Sequence, residues 1–479
     1  MNYGIVIYVL GWILNFEAGF LVPPLICAVI YHEKDGLALL ITMLICLAIG
    51  LLCTYFRPKN QKLYSREGFA AVALSWLIMS LFGALPFRIS GYIPSMVDAV
   101  FETASGFTTT GASILRDVEC FPRCLLFWRS FTHWIGGMGV LVFIIAILPL
   151  AGGSDMFLMK AESPGPSVKK LVPKVRSSAM TLYFLYLTLT VMEVVILLIF
   201  GMPLYESLLT SFGTAGTGGF GYLNDSMGSI RSSQQIIITI FMIMFGVNFN
   251  VYYLVYKRRF KEILSISEFW VYLSIIAASI ALIAFNIRGL YPGQAGSAVK
   301  DSAFQVGSII TTTGFSTADF NQWPTFSRTL LVTLMFVGAC AGSTGGGIKV
   351  SRLIIMAKSM SKEIDQMIHP SGVRKIRVDG KQLEHSVLRA TNVFICSYLF
   401  IFTISVLLIS LNGFDLETTF TSVAATLNNI GPGLSVVGPA GNYADLSAFS
   451  KIVLTFDMIA GRLELFPILV MLRRYTWTR

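Results

Sequence analysis

Four short segments of this chain repeat one pattern of residue types. They read DAVFETASGFTTTGAS (98–113), ESLLTSFGTAGTGGFG (206–221), DSAFQVGSIITTTGFS (301–316) and ETTFTSVAATLNNIGPG (417–433). Each opens on an acid with Phe or Leu three places later. From that apolar residue to a Gly the separation is 10 in the first three (101→111, 209→219, 304→314) and 11 in the fourth (420→431). The segments end on Thr109-Thr110-Gly111, Thr217-Gly218-Gly219, Thr312-Thr313-Gly314 and Asn429-Ile430-Gly431. Gly permits the positive φ that lets successive carbonyls point the same way. Thr adds a hydroxyl oxygen. Such oxygens can replace the water shell of a dehydrated monovalent cation. One copy would be a polar loop. Four copies, about 95–117 residues apart, argue for a selectivity filter around one axis.

The elements that must hold these loops follow from composition. The chain has 479 residues, 54% hydrophobic and only 13% charged, against about 25% charged in soluble domains. Mean hydropathy is +0.70. An ordinary cytosolic enzyme or a disordered chain is excluded, and a polytopic membrane protein is indicated. A spanning helix needs about 20 mostly apolar residues. Ten candidates occur, at roughly 3–30, 36–56, 68–87, 130–154, 178–203, 232–256, 269–287, 329–348, 390–414 and 452–472. The runs are too long and too uniformly apolar for barrel strands, so the expected class is an all-α polytopic membrane protein. The Thr/Gly segments fall between paired spans. Each is preceded by an amphiphilic stretch too short to cross a bilayer, a half-helix starting near Asp98, Glu206, Asp301 or Glu417. An acid suits the positive end of the helix dipole, and the negative end would then face the pore and favour a cation.

Lys and Arg set the orientation. Of 36, 24 fall in the loops after the even-numbered spans and in the tail, so both termini are expected to be cytoplasmic. The net charge of +10 reads as this bias rather than as nucleic-acid binding. The opposite face carries 13 acids and would concentrate cations. The start of the chain reads as a retained span rather than a signal peptide. Inner-face basic residues can also meet anionic membrane lipid.

Two features inside the spans stand out. Residues 338–347, GACAGSTGGG, crowd five glycines into an apolar span and should unwind it. Arg462 is an intramembrane charge, and neither Asp457 nor Glu464 is spaced to share its helix face. A pore-facing Arg would slow cations. Glu17 and Glu193 read as helix-packing partners. The G-x-G-x-x-G match at 216–221 lacks the strand, helix and acid of a dinucleotide site. In GSTGGGIK (342–349), Ile348 separates Gly from Lys, so no phosphate-binding loop forms. The seven cysteines and four histidines show no metal-ligand spacing, and a Cys120–Cys124 bridge is a minor option. No catalytic constellation appears.

With HWIGGMG (133–139), AGSTGGGIK (341–349), NNIGPG (428–433) and AGRLE (460–464), the chain resembles the TrkH/TrkG branch of the Trk/Ktr/HKT potassium transporters over essentially its whole length. The resemblance implies four helix–pore-loop–helix repeats in pseudo-fourfold arrangement plus two N-terminal transmembrane helices. The corresponding units are 1–66, then repeats at 67–155, 156–262, 263–362 and 363–479. It implies potassium uptake across a bacterial plasma (inner) membrane, with potassium as transported ligand, no covalent cofactor and no enzymatic activity. Gly at 111, 219, 314 and 431 looks like the potassium-selective pattern, since sodium-selective relatives carry Ser in the first repeat. The fourth loop lacks Thr before its Gly, so perfect symmetry is not expected. Residues Gly342, Ser343, Thr344, Gly345, Gly346 and Gly347, with Lys349 and Arg462, would form a gate beneath the filter. A TrkA-type nucleotide-binding regulatory subunit docked on the basic inner face and a homodimer are implied in the same way. Channel-like conduction and proton- or sodium-coupled symport both stay open.

Overall fold

The computed structural model describes residues 1–58, 64–137, 139, 175–370 and 375–477. About 70% of these residues are helical and almost none lie in strands. The expected span 130–154 is described only to residue 137 and at residue 139, and most of the loop 155–177 lies outside the described residues.

The chain opens with α1 (Tyr3–Phe20), α2 (Val22–Ile30) and α3 (Gly36–Tyr55). Next come α4 (Ser65–Gly83), α5 (Leu85–Ile89), α6 (Met96–Phe107) and α7 (Arg123–Gly137). A second set is α8 (Val175–Ile199), α9 (Leu204–Gly216), α10 (Ser232–Phe245), α11 (Phe249–Tyr256) and α12 (Phe260–Leu264). A third is α13 (Ser267–Ile287), α14 (Ala295–Ile310), α15 (Thr325–Met335) and α16 (Val350–Ile368). A hairpin of β1 (Arg377–Val378) and β2 (Lys381–Gln382) precedes α17 (His385–Ser410), α18 (Leu416–Leu427), α19 (Ala448–Arg462), α20 (Phe466–Leu472) and α21 (Arg474–Trp477).

Among the described residues, six helical stretches are long and apolar enough to cross a membrane. They include Gly36–Tyr55, Ala179–Ile199 and His385–Ser410, whose Leu51, Leu52, Ile199, Phe400 and Leu407 are exposed. Apolar side chains facing outward on uninterrupted helices are what a lipid surface selects, because the helix satisfies its own backbone.

Beyond the one-residue joints at Leu21 and Ala84, three expected spans are broken more deeply. In the segment 232–256, α10 and α11 meet at a 92° bend. The segment 329–348 is helical only to Met335, and helix resumes at Val350. The segment 452–472 breaks between Arg462 and Phe466, where Glu464 and Leu465 take positive φ. The first two breaks satisfy each other. Cys340 N–H donates to Gly246 O and Phe249 N–H to Gly342 O, both at 3.0 Å. Irregular backbone at membrane depth survives only with such partners.

The short helices α6, α9, α14 and α18 sit in equivalent surroundings. α6 packs on α4, α7 and α19; α9 on α8, α10 and α7. α14 packs on α13, α15 and α10, and α18 on α17, α19 and α15. α9, α14 and α18 therefore each touch the two helices that flank them in sequence and one from earlier in the chain. For α6 the third partner is α19, near the end of the chain, so the pattern closes on itself.

Candidate functional site: a ring of four loops

Each half-helix ends in the same way. Thr110, Gly218, Thr313 and Ile430 N–H groups donate back to Ser105, Gly213, Ser308 and Ala425 O, each at 2.8 Å. Thr109, Thr217, Thr312 and Asn429 N–H groups donate to Gly106, Thr214, Ile309 and Thr426 O at 3.0–3.1 Å. This paired closure requires a left-handed residue just past the helix, usually Gly. Here Thr109, Thr217, Thr312 and Asn429 fill it at φ 55, 54, 60 and 56. Three β-branched residues in that region store strain, of order 1–3 kcal/mol each. Two residues on, Gly111, Gly219, Gly314 and Gly431 take φ 80, 73, 85 and 98. Alternating ordinary and left-handed backbone turns successive carbonyls toward one side.

The four triplets touch in cyclic order. A Cβ added to Gly111 would lie inside 3.0 Å of Gly218 O. One at Gly219 would meet Thr313 O, one at Gly314 Ile430 O, and one at Gly431 Thr110 O, all likewise inside 3.0 Å, the last being the loosest. The carbonyl of each triplet's middle residue thus lies against the glycine of the previous triplet. All twelve residues are brought together, and the ring closes from the fourth back to the first. Asn429 Nδ2 reinforces that closure by donating to Thr110 Oγ1 at 3.0 Å and to Met458 O at 2.8 Å. Thr109 Oγ1 is buried with no hydrogen-bond partner among the described residues, a spare oxygen at the ring. A cavity of about 120 Å³ opens over the four glycines, with Arg116, Asn224 and Tyr443 on its wall.

The 338–349 segment packs against the third and fourth triplets. Thr312 Oγ1 accepts the Gly346 N–H at 2.7 Å. A Cβ on Gly345 would crowd Thr311 O, and one on Gly346 would crowd Asn428 O. Lys349 is buried and donates through Nζ to Gly345 O and, at 3.0 Å, to Gly346 O. Arg462 donates to Thr344 O at 2.8 Å from one nitrogen, and to Gly136 O and to Gly137 O at 2.8 Å from the other. It joins the loop to the end of α7. Glu464 accepts from Arg352, and Asp457 accepts from Ser405 Oγ at 2.7 Å.

The half-helix acids are placed less uniformly than expected. Asp98, Glu206 and Glu417 fall in first turns. Asp301 does not, because AGSAVK ahead of it is helix-compatible and α14 starts at Ala295. Asp98 pairs with Lys451 at 2.7 Å and Glu417 with Arg328 at 3.1 Å, so both are partly neutralised. Glu17 and Glu193 are buried, Glu17 beside Gly83. All seven cysteines are free thiols, which removes the Cys120–Cys124 bridge.

A brace behind the ring was missed. Arg129 and Glu102, both buried, pair at 2.7 Å. Glu102 also accepts Ser113 Oγ and the Ile114 N–H at 2.9 Å. Arg129 donates to Gly221 O at 3.0 Å and stacks 3.5 Å from the Phe220 ring centre. Desolvated cation–π contacts reach about 2 kcal/mol. His133 accepts the Phe220 N–H at Nε2 (3.2 Å), and its Nδ1 lies 2.8 Å from Gly106 O. The signal was positional. Nine residues before its Gly, the first segment has Glu102 where the others have Thr210, Gln305 and Ser422.

A helical membrane protein with a closed ring of carbonyl-bearing loops, and a polar loop pressed beneath it, belongs to the ion-transport class rather than to the enzymes. The family described as TrkH, "Cation transport protein", matches residues 36–284 and 280–476, and the chain belongs to it. The Trk system potassium uptake protein TrkH of Salmonella typhimurium is 36% identical over all of both chains. TrkG of Escherichia coli K12, also named as a Trk system potassium uptake protein, is 31% identical over 99% of this chain and 98% of its own. The crystal structure of the potassium transporter TrkH from Vibrio parahaemolyticus superposes with a TM-score of 0.89 at 31% identity, covering both chains fully.

Proposed function

We propose that this chain is a potassium uptake protein of a bacterial inner membrane, with both termini cytoplasmic. The observation that carries the reading is the cyclic contact of the triplets 109–111, 217–219, 312–314 and 429–431. Four inward sets of main-chain oxygens suit a cation that gives up its water, and the relatives' names supply potassium. The repeat units are 67–155, 156–262, 263–362 and 363–479, with 1–66 as an N-terminal pair of spans. The loop of Gly342, Ser343, Thr344, Gly345, Gly346 and Gly347 gates the pore from below. Lys349 holds it folded, and Arg462 holds it in place and adds an electrostatic barrier. The name of the Trk system implies further components. A TrkA-type nucleotide-binding subunit on the basic inner face and a second copy of this chain are the proposed partners.

The test is rubidium and sodium flux into vesicles holding the purified protein. Rubidium entry that exceeds sodium entry supports the reading, and absence of flux or equal flux overturns it. Imposing a proton or sodium gradient in the same vesicles separates conduction from coupled symport.

A further inference from the structure

The loop beneath the ring is held at both ends by one side chain. Glu268, the second residue of α13, accepts the Ala341 N–H at 2.7 Å and the Ser351 N–H at 3.0 Å, both on Oε1. Ala341 starts the loop and Ser351 lies in the first turn of α16. Ser351 N–H is one of the donors that a helix start leaves unpaired, and a carboxylate is favoured there. Main-chain bonds close the same neck: Gly338 N–H to Ile348 O at 2.8 Å, and Val350 N–H to Ala339 O at 3.3 Å. Glu268 is buried, so the charge-assisted bonds are not exposed to competing water.

The residue beside it faces a different element. Ser267 donates its N–H to Asp379 Oδ1 at 2.9 Å and bonds the same oxygen through its hydroxyl. Asp379 and Gly380 form the two-residue turn of the β1–β2 hairpin, both at positive φ (50° and 73°), as such turns require. The hairpin is tied to α16 as well, since Lys358 Nζ donates to Arg377 O at 2.8 Å. A surface turn is therefore bonded to the residue of α13 that immediately precedes the carboxylate closing the neck.

We propose that Glu268 is the positioning residue of the loop and that the Asp379–Gly380 turn sets Glu268 through Ser267. A displacement of the hairpin then moves one acceptor under both ends of the loop. In the proposed orientation the hairpin lies on the cytoplasmic face. The inference rests on the reading of residues 341–347 as a gate.

The test uses the full chain in vesicles, with rubidium flux as readout and amide hydrogen exchange as a second measurement. Asp379→Ala is expected to raise basal rubidium flux about 3–10-fold. Asp379→Asn keeps an oxygen that can accept from Ser267, and its flux should stay within about twofold of the parent. Glu268→Ala should raise flux at least as much as Asp379→Ala, and the double variant should match Glu268→Ala alone, because the residues act in series. The amides of Ala341 and Ser351 should exchange faster in both alanine variants, while those of α6 and α14 keep their protection. If Glu268→Ala does not fold, Asp379→Ala and Glu268→Gln carry the test. Unchanged or lowered flux with unchanged exchange at 341 and 351 in Asp379→Ala overturns the inference, as does a double variant whose effect is the product of the singles. A chain shortened within 341–347 separates the two failures. If shortening leaves flux unchanged, the gate reading falls. If shortening raises flux and Asp379→Ala does not, this inference alone falls.

Discussion

Thr312 and Gly346 are joined directly: the hydroxyl oxygen of a ring residue accepts the amide N–H of the loop beneath it at 2.7 Å. The same threonine holds the left-handed position that ends its half-helix. One side chain therefore ties the loop to the ring, and Gly would fit that backbone more easily but could not supply the oxygen.

Gly111→Ser or Gly314→Ser should reduce rubidium-over-sodium discrimination, by about tenfold if the ring loses ~1.4 kcal/mol of preference. Both positions need positive φ and have no room for a Cβ against the next carbonyl. Paired ion-flux measurements check this, and unchanged selectivity counts against the ring as a filter.

Arg462→Ala should raise basal flux several-fold. It removes donors to Thr344 O, Gly136 O and Gly137 O, releasing the loop, and it removes a positive charge from beneath the ring. Arg462→Lys should fall between the two, because an ammonium cannot span both elements as a guanidinium does. Flux in the alanine variant equal to the parent's rules out both roles.

Glu102→Gln should destabilise the protein by about 3–5 kcal/mol, the usual consequence of leaving a buried charge without its partner. Arg129 would keep its charge against Phe220 and Gly221. Glu102→Gln combined with Arg129→Met should recover part of the loss. Thermal unfolding in detergent measures both, and a double variant worse than the sum of the singles removes the brace.

Cys120 offers a test of orientation and of local electrostatics together. Its exposed thiol donates to Asp117 at 2.8 Å, and that hydrogen bond with the neighbouring negative charge pushes the thiol above its ordinary pKa. A membrane-impermeant maleimide should label it from outside the cell, slowly at neutral pH and faster as pH rises, since the thiolate is the nucleophile. Asp117→Asn should move that pH curve downward. Labelling only in inverted vesicles reverses the proposed topology.

The ring was legible because its cause is local. Positive φ, small side chains and a helix that must stop leave a mark on three consecutive residues, and four copies made the mark readable. The unwound segment at 338–347 was legible for the same reason. The bend at Gly246 was not, because one glycine in an apolar run says little, and its partners Cys340 and Gly342 lie far along the chain. Arg462 could be flagged as an unusual charge, but its acceptors are main-chain oxygens on two other elements, which residue types do not encode. Glu102 and Arg129 were hidden in the same way. Neither residue explains the other until α6 and α7 pack. Asp301 misled because an acid marks a helix start only when the residues before it cannot extend the helix.

The four quarters of the ring are written once each in a single gene. A substitution in one triplet alters a quarter of the circle and leaves three intact, whereas an assembly of identical subunits changes everywhere at once. Asn429-Ile430-Gly431 already departs from the Thr-bearing pattern of the other three. Under the proposed filter role, ion preference can then be adjusted one quadrant at a time, both in laboratory redesign and in natural drift.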